Sequence, residues 1–160
     1  MTDFRLQGKQ NRASGADFEK RTRKDLEDKG WVVDKWTNNV DLGLGKLVRA
    51  KNLFRGKNIP MMMGAGFPDF SCHRYVDRTT FDIYDIYEVI GVECKVGKYL
   101  SAEEKEKCQW LLDKKVFSKI LITYRTKVKN RIVVNYQDFK DIKLTSDNRE
   151  DQLNIMEEKK

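Results

Sequence analysis

Several residue types are scarce in this 160-residue chain, and each scarcity closes off a class of protein. There are only three cysteines, Cys72, Cys94 and Cys108, an odd number with no CxxC spacing, which argues against a disulfide framework. With no CxxC spacing and His73 as the only histidine, a structural zinc site of Cys and His ligands is not expected. His73 directly follows Cys72, and neighbours in a strand point to opposite faces, so both read as structural. Two prolines exclude a long Pro-rich linker. No apolar run approaches the roughly 20 residues that span a bilayer, and the N-terminal "MTDFRLQGKQNRASG" lacks the apolar core of a secretory signal. The expectation is an intracellular, cytoplasmic protein with no membrane partner.

What is abundant is charge. Charged residues make up 36% of the chain and hydrophobic residues 39%, with aromatics at 11%, enough for a packed core. The formal net charge of +7 favours a polyanionic partner, nucleic acid or an anionic surface. The length suits one domain, taken as residues 1–144, followed by a charged, fraying tail at 145–160.

Local patterns place the elements. In "SGADFEKRTRKDLEDK" (14–29), Ser14 and Asp17 can cap a helix whose apolar stripe is Phe18, Thr22 and Leu26, with Gly30 where helices often end. "WVVDKW" (31–36) alternates and reads as a strand. Residues 37–66 form a long basic insert carrying Lys46, Arg49, Lys51, Arg55 and Lys57, with a short helix expected near 46–55. It either grips a nucleic-acid backbone or is a solvated loop. Met61, Met62 and Met63 within it suit adaptable packing. "FPDFSCHRYV" (67–76) reads as a strand, and 81–96 as one long strand or two with a bulge at Gly91. "SAEEKEKCQWLLDKKV" (101–116) is a helix with Ser101 and Glu104 as its capping box. Strands at 118–125 and 130–136 follow. Trp31, Trp36 and Trp110 read as core. The sum is an α/β fold with a mixed central sheet flanked by helices.

One strand carries the chemistry. In "VECKV" (92–96), Val92, Cys94 and Val96 share a face for packing, while Glu93 and Lys95 share the other, which can line a solvated rim. With the preceding turn centred near residue 81, Asp69 falls opposite Glu93, with Cβ atoms about 4.5–5.5 Å apart. Two carboxylates so placed repel unless a cation lies between them. Mg²⁺, held by one or two carboxylates and several waters, meets that need. The plain alternative is a cross-strand ion-pair cluster, worth about 0–1 kcal/mol when exposed.

The residues Pro68-Asp69 and Glu93-Cys94-Lys95, on consecutive strands between two helices, resemble the PD-(D/E)xK nuclease superfamily. "GADFEKRTRKDLEDKGWVV" is similar to the opening of archaeal Holliday-junction resolvases. The stretch from Gly97 to Arg125 is similar to the helix–strand end of virus-type replication-repair nuclease domains. The resemblance covers roughly residues 15–125; the insert at 37–66 and an extended 76–86 tip depart from the compact resolvases. It implies a restriction-endonuclease-like αβββαβ core and a divalent-metal-dependent endodeoxyribonuclease. Asp69 and Glu93, with the Cys94 backbone carbonyl, would hold Mg²⁺ or Mn²⁺. Glu19 would reach the metal directly or through a water, or else pair with Arg23 along its helix. Lys95 would orient and activate the attacking water or stabilise charge on the phosphate. Gln109 would be a helix glutamine near the site, or an ordinary polar flank. Lys98 would meet a phosphate, or be solvated. The resemblance further implies DNA, branched as in a four-way junction, as partner, a homodimer, and a role in recombination or repair. Two other readings stand beside it: the same chemistry on duplex, flap or single-stranded DNA, and a relative that binds nucleic acid without cutting it.

Overall fold

The computed structural model describes residues 4–50, 66–79 and 84–142. Their elements run α1 (Phe4–Asp28), β1 (Val32–Lys35), β2 (Asn38–Asp41), β3 (Lys46–Arg49), β4 (Phe70–Arg78), β5 (Asp85–Lys95), α2 (Ala102–Asp113), β6 (Lys119–Val128) and β7 (Arg131–Asp138). Five strands form one mixed sheet in the order β1-β4-β5-β6-β7. Only the β5–β6 pair is parallel, and α2 makes the crossover between those strands. The fold is α/β, with helices on both faces of the sheet.

α1 starts ten residues before the expected Ser14 cap. The segment from Phe4 to Ala13 is rich in Arg, Leu, Gln, Lys and Ala, all good helix formers, and nothing in it stops a helix. The Ser14 hydroxyl, freed from capping, accepts a hydrogen bond from Arg125 at 2.8 Å. The apolar stripe is as expected: Phe18, Thr22 and Leu26 are all buried. The helix ends in a Schellman motif, with Trp31 N–H bonded to the Leu26 carbonyl and Gly30 N–H to that of Glu27. Gly30 sits at φ +83°, which a residue with a Cβ adopts only with strain.

The insert differs from expectation over its described part. Residues 46–49 are a strand rather than a helix, paired with β2 in a separate hairpin. Asp41 turns the chain by accepting the Leu44 N–H at 2.9 Å, and Gly45 takes φ +58°. Val40 anchors the hairpin in the core. Lys51, Arg55, Lys57 and Met61–Met63 lie outside the described residues, as does the 145–160 tail.

The core has two halves, one on each face of the sheet. On the α1 side, Leu26 packs with Val33, Phe70, Cys72, Ile90 and Val92. On the α2 side, Cys108 and Leu111 pack with Phe67, Phe117, Ile120 and Ile122. This corrects the view of β5 as a strand with one core face and one solvated rim. Cys94 points toward the α1 side, but Val96 lies past the strand and is exposed, while Glu93 is buried. The reason is the parallel crossover, which lays α2 over the Glu93 face.

β5 is a single unbroken strand; the irregularity lies instead on β4, between Tyr75 and Asp77. Gly91 serves close packing. A Cβ there would lie 2.9 Å from the Pro68 ring and 3.0 Å from the Phe117 ring. Neither ring has room to yield, so the Gly91→Ala variant is expected to lose about 1–3 kcal/mol of stability, read as a lower urea midpoint. An unchanged midpoint would show that Pro68 does not rest on Gly91.

Candidate active site at the β4–β5 junction

Asp69 stands one residue before β4. Phe70 pairs with Val92, so the ladder runs in the register that puts Asp69 across from Glu93. The acid is held twice. Its backbone carbonyl accepts the Trp36 N–H at 3.0 Å, and its side-chain Oδ2 accepts the Cys94 N–H at 2.8 Å. Pro68 packed on Gly91 adds a steric stop. The "PD" dipeptide is thus fixed between β1 and β5 rather than swinging on a loop.

Glu93 is buried beside it. One carboxylate oxygen, Oε1, lies 3.0 Å from Lys95 Nζ, whereas Oε2 is buried with no hydrogen-bond partner among the described residues. An unsatisfied buried carboxylate oxygen is costly. Burial, then the neighbouring Asp69 charge, push the Glu93 pKa up to about 8, against the opposing pull of Lys95. Burial also raises the Asp69 pKa, opposed by Lys35 and the Cys94 N–H.

Two lysines bracket these acids. Lys35, on the α1 side, lies 2.8 Å from Glu19 and 3.3 Å from Asp69. Lys95, on the α2 side, joins Glu93 to Glu104. Burial alone would lower the Lys95 pKa, but its hydrogen bonds to Glu104 and Glu93 and their charges outweigh it, and the pKa rises. Lys95 is therefore an ammonium at neutral pH, suited to stabilising negative charge and not to accepting a proton.

Glu19 meets Lys35 instead of Arg23, whose guanidinium goes to Glu27 and the Val33 carbonyl. Lys35 bridges it to Asp69, whose pKa the Glu19 charge also helps raise. Gln109 donates to Asp113 at 2.7 Å, one turn further along α2. Glu104 is the residue α2 brings to Lys95. Lys98 lies over the Tyr124 ring, and Lys46 and Arg49 are exposed on the separate hairpin. Sequence reasoning missed Lys35, although its phase held a signal: it shares a strand face with the buried Val33. Glu104 was legible only as a cap, a role it keeps, since Ser101 and Glu104 form a complete capping box.

Cys72, Cys94 and Cys108 are free thiols with pKa values raised by burial, so none is a ready nucleophile. His73 faces away from Cys72, edge-on to Tyr87. No group of three Asp, Glu, His or Cys side chains that could hold a metal occurs among the described residues. The two carboxylates offer hard oxygen donors of the type that Mg²⁺ and Mn²⁺ take alongside waters, and Glu93 Oε2 is the carboxylate oxygen here without a hydrogen-bond partner among the described residues.

No family model, no curated protein and no solved structure matches the chain. Among the described residues no helix is long and apolar enough to cross a membrane.

The raised Glu93 pKa carries a stability signature. In metal-free buffer the folded protein keeps a proton on Glu93 between pH 4.5 and about 8, while the unfolded chain releases it. The native state binds more protons there, so this residue's stabilising contribution is full below that window and falls as pH rises through it. Glu93→Gln, neutral at every pH, is expected to flatten that fall, with its advantage over the parent protein growing toward pH 8. Parallel urea-midpoint profiles across the window would show that Glu93 is ionised in the fold.

Proposed function

We propose that this chain is a divalent-metal-dependent endodeoxyribonuclease of the PD-(D/E)xK type. The observation that carries the reading is the pairing of Asp69 with the buried Glu93. Two mutually repelling carboxylates are held on adjacent strands, one with an oxygen that has no partner. Buried acids with strongly shifted pKa values beside a charged partner cluster at functional sites. The order α1-β1-β4-β5-α2-β6, with β6 parallel to β5, supports an αβββαβ core of the restriction-endonuclease kind.

In this reading Asp69, Glu93 and the Cys94 carbonyl hold Mg²⁺ or Mn²⁺, which supplies electrophilic pull on a phosphodiester and acidifies bound water. The chain's own part is positional and electrostatic. The Cys94 N–H and the Trp36 contact lock Asp69 in place. Lys95, steadied by Glu104, presents an ammonium to the extra negative charge that builds on a phosphate under attack. Lys35 holds Glu19 and Asp69 together and balances their charge.

A branched substrate cut by a homodimer, as in junction resolvases, is the finer form of the proposal. The competing reading is a non-cleaving nucleic-acid binder, favoured by the fact that each acid already has a lysine counter-ion.

A Mg²⁺ or Mn²⁺ titration on labelled four-way junction, duplex, flap and single-stranded DNA separates these. Cutting that depends on metal, and falls at least about 10³-fold in Asp69→Ala and Glu93→Ala, is expected. Cutting that survives both substitutions would sink the site. Equal cutting of duplex and junction would remove the resolvase form. Metal-independent binding with no cutting would favour the binder.

A further inference from the structure

We infer that the β6–β7 hairpin, through Arg125, Lys127, Lys129 and Arg131, grips the DNA backbone beside the candidate active site. This rests on the nuclease reading for the identity of the polyanion. The hairpin itself stands on independent observations.

From residue 114 to residue 137 the chain contains no Asp or Glu and seven Lys or Arg. Four of the seven lie on the projecting part of the hairpin, and all four are exposed. β5 ends with Lys95 paired to Tyr124, so everything from Arg125 to Val128 extends past its last pair. At about 3.3 Å per residue the arm reaches roughly 13 Å beyond Lys95. That is about four nucleotides at 3.4 Å per nucleotide on one strand. Lys129 and Asn130 make the tight turn, both at positive φ, and Lys129 stands at its tip. An open groove of about 410 Å³ has Arg125, Thr126, Lys127 and Ile132 in its walls.

The charges are not spoken for. Ion pairs elsewhere on the surface join Arg74 to Glu88 and Arg78 to Asp85, yet none among the described residues includes Arg125, Lys127, Lys129 or Arg131. Arg125 instead donates to Ser14, which ties the hairpin to a stretch of α1, residues 4–16, that also lacks any acid. Lys98, over the Tyr124 ring, and Arg131, paired with Val128, lie on the Lys95 face of the sheet, whereas Arg125 and Lys127 lie on the α1 face. A projecting two-stranded arm that carries cations without ion-pair partners on both faces and at its tip matches a duplex groove, which admits a β-ribbon and presents phosphates on either wall. This grip is distinct from the contact that the 37–66 insert offers in the sequence, where Lys51, Arg55 and Lys57 lie outside the described residues.

The test is a combined Arg125→Gln, Lys127→Gln, Lys129→Gln, Arg131→Gln variant. All four positions are exposed, and a circular-dichroism melt checks that folding is kept. Binding to labelled duplex DNA is measured by anisotropy in EDTA over a salt series. The variant is expected to bind at least about tenfold more weakly near physiological salt, with a log–log salt slope shallower by about 0.9 for each phosphate no longer neutralised. Unchanged affinity and slope would overturn the inference. So would wild-type protein that binds phosphatidylserine vesicles but not DNA, or a slope that moves only in a Lys46→Gln, Arg49→Gln variant. Salt-steep binding that needs the hairpin, without metal-dependent cutting, would sink the nuclease reading alone. Cutting by the hairpin variant at unchanged half-saturating DNA would sink the hairpin alone.

Discussion

Placing two carboxylates within reach of each other, both of them buried, is the constraint around which this molecule is arranged. Left alone, Asp69 and Glu93 would repel, and the burial of Glu93 would force a proton onto it. Much of the surrounding structure serves to keep them there. The Cys94 N–H fixes one oxygen of Asp69, and Lys35 and Lys95 bring positive charge from opposite faces of the sheet. Gly91 leaves room for Pro68, so that the residue after it can meet β5.

The packing follows from the same need. A parallel β5–β6 pair requires a crossover, and the crossover puts α2 over the Glu93 face. That helix buries Cys108 and Leu111 against Ile120 and Ile122, and its first turn delivers Glu104 to Lys95. One residue therefore caps the helix and anchors the lysine. On the other face α1 buries Phe18, Thr22 and Leu26 and brings Glu19 to Lys35. Because Asp69 and Glu93 are buried, they feel the neighbouring lysines more strongly than they would on a solvated rim.

The charge distribution has a second consequence. Many surface charges outside the junction are matched locally, along helices or across strands, and contribute little to stability. The β6–β7 hairpin, like the first part of α1, carries basic residues without a local acid: neither of its strands has one before Asp138. Unmatched positive charge disfavours compactness through self-repulsion, so its retention in one projecting arm is most simply explained by an anionic partner.

The succession of helices and main-sheet strands along the chain, the stripe on α1, the capping box on α2 and the register that aligns Asp69 with Glu93 were all legible in the sequence. Each rests on local periodicity or on a turn position, which neighbouring residues decide among themselves. The start of α1 was not, because Ser14 is as good a cap as it is a mid-helix acceptor, and the choice depends on Arg125, 111 residues away. Nor was the hairpin at Asn38–Arg49, whose glycines and Asp41 allow a turn that only pairing and the burial of Val40 select. Periodicity put Glu93 and Lys95 on one face but could not say whether that face was wet. The sequence by itself determined the local elements and put Glu93 and Lys95 on one strand face with Asp69 across from Glu93. Tertiary structure decided that Glu93 is buried, that Lys35 and Glu104 complete the cluster, and that Gln109 turns to Asp113. Burial and long-range ion pairing depend on which helix covers which face, and no local pattern encodes that.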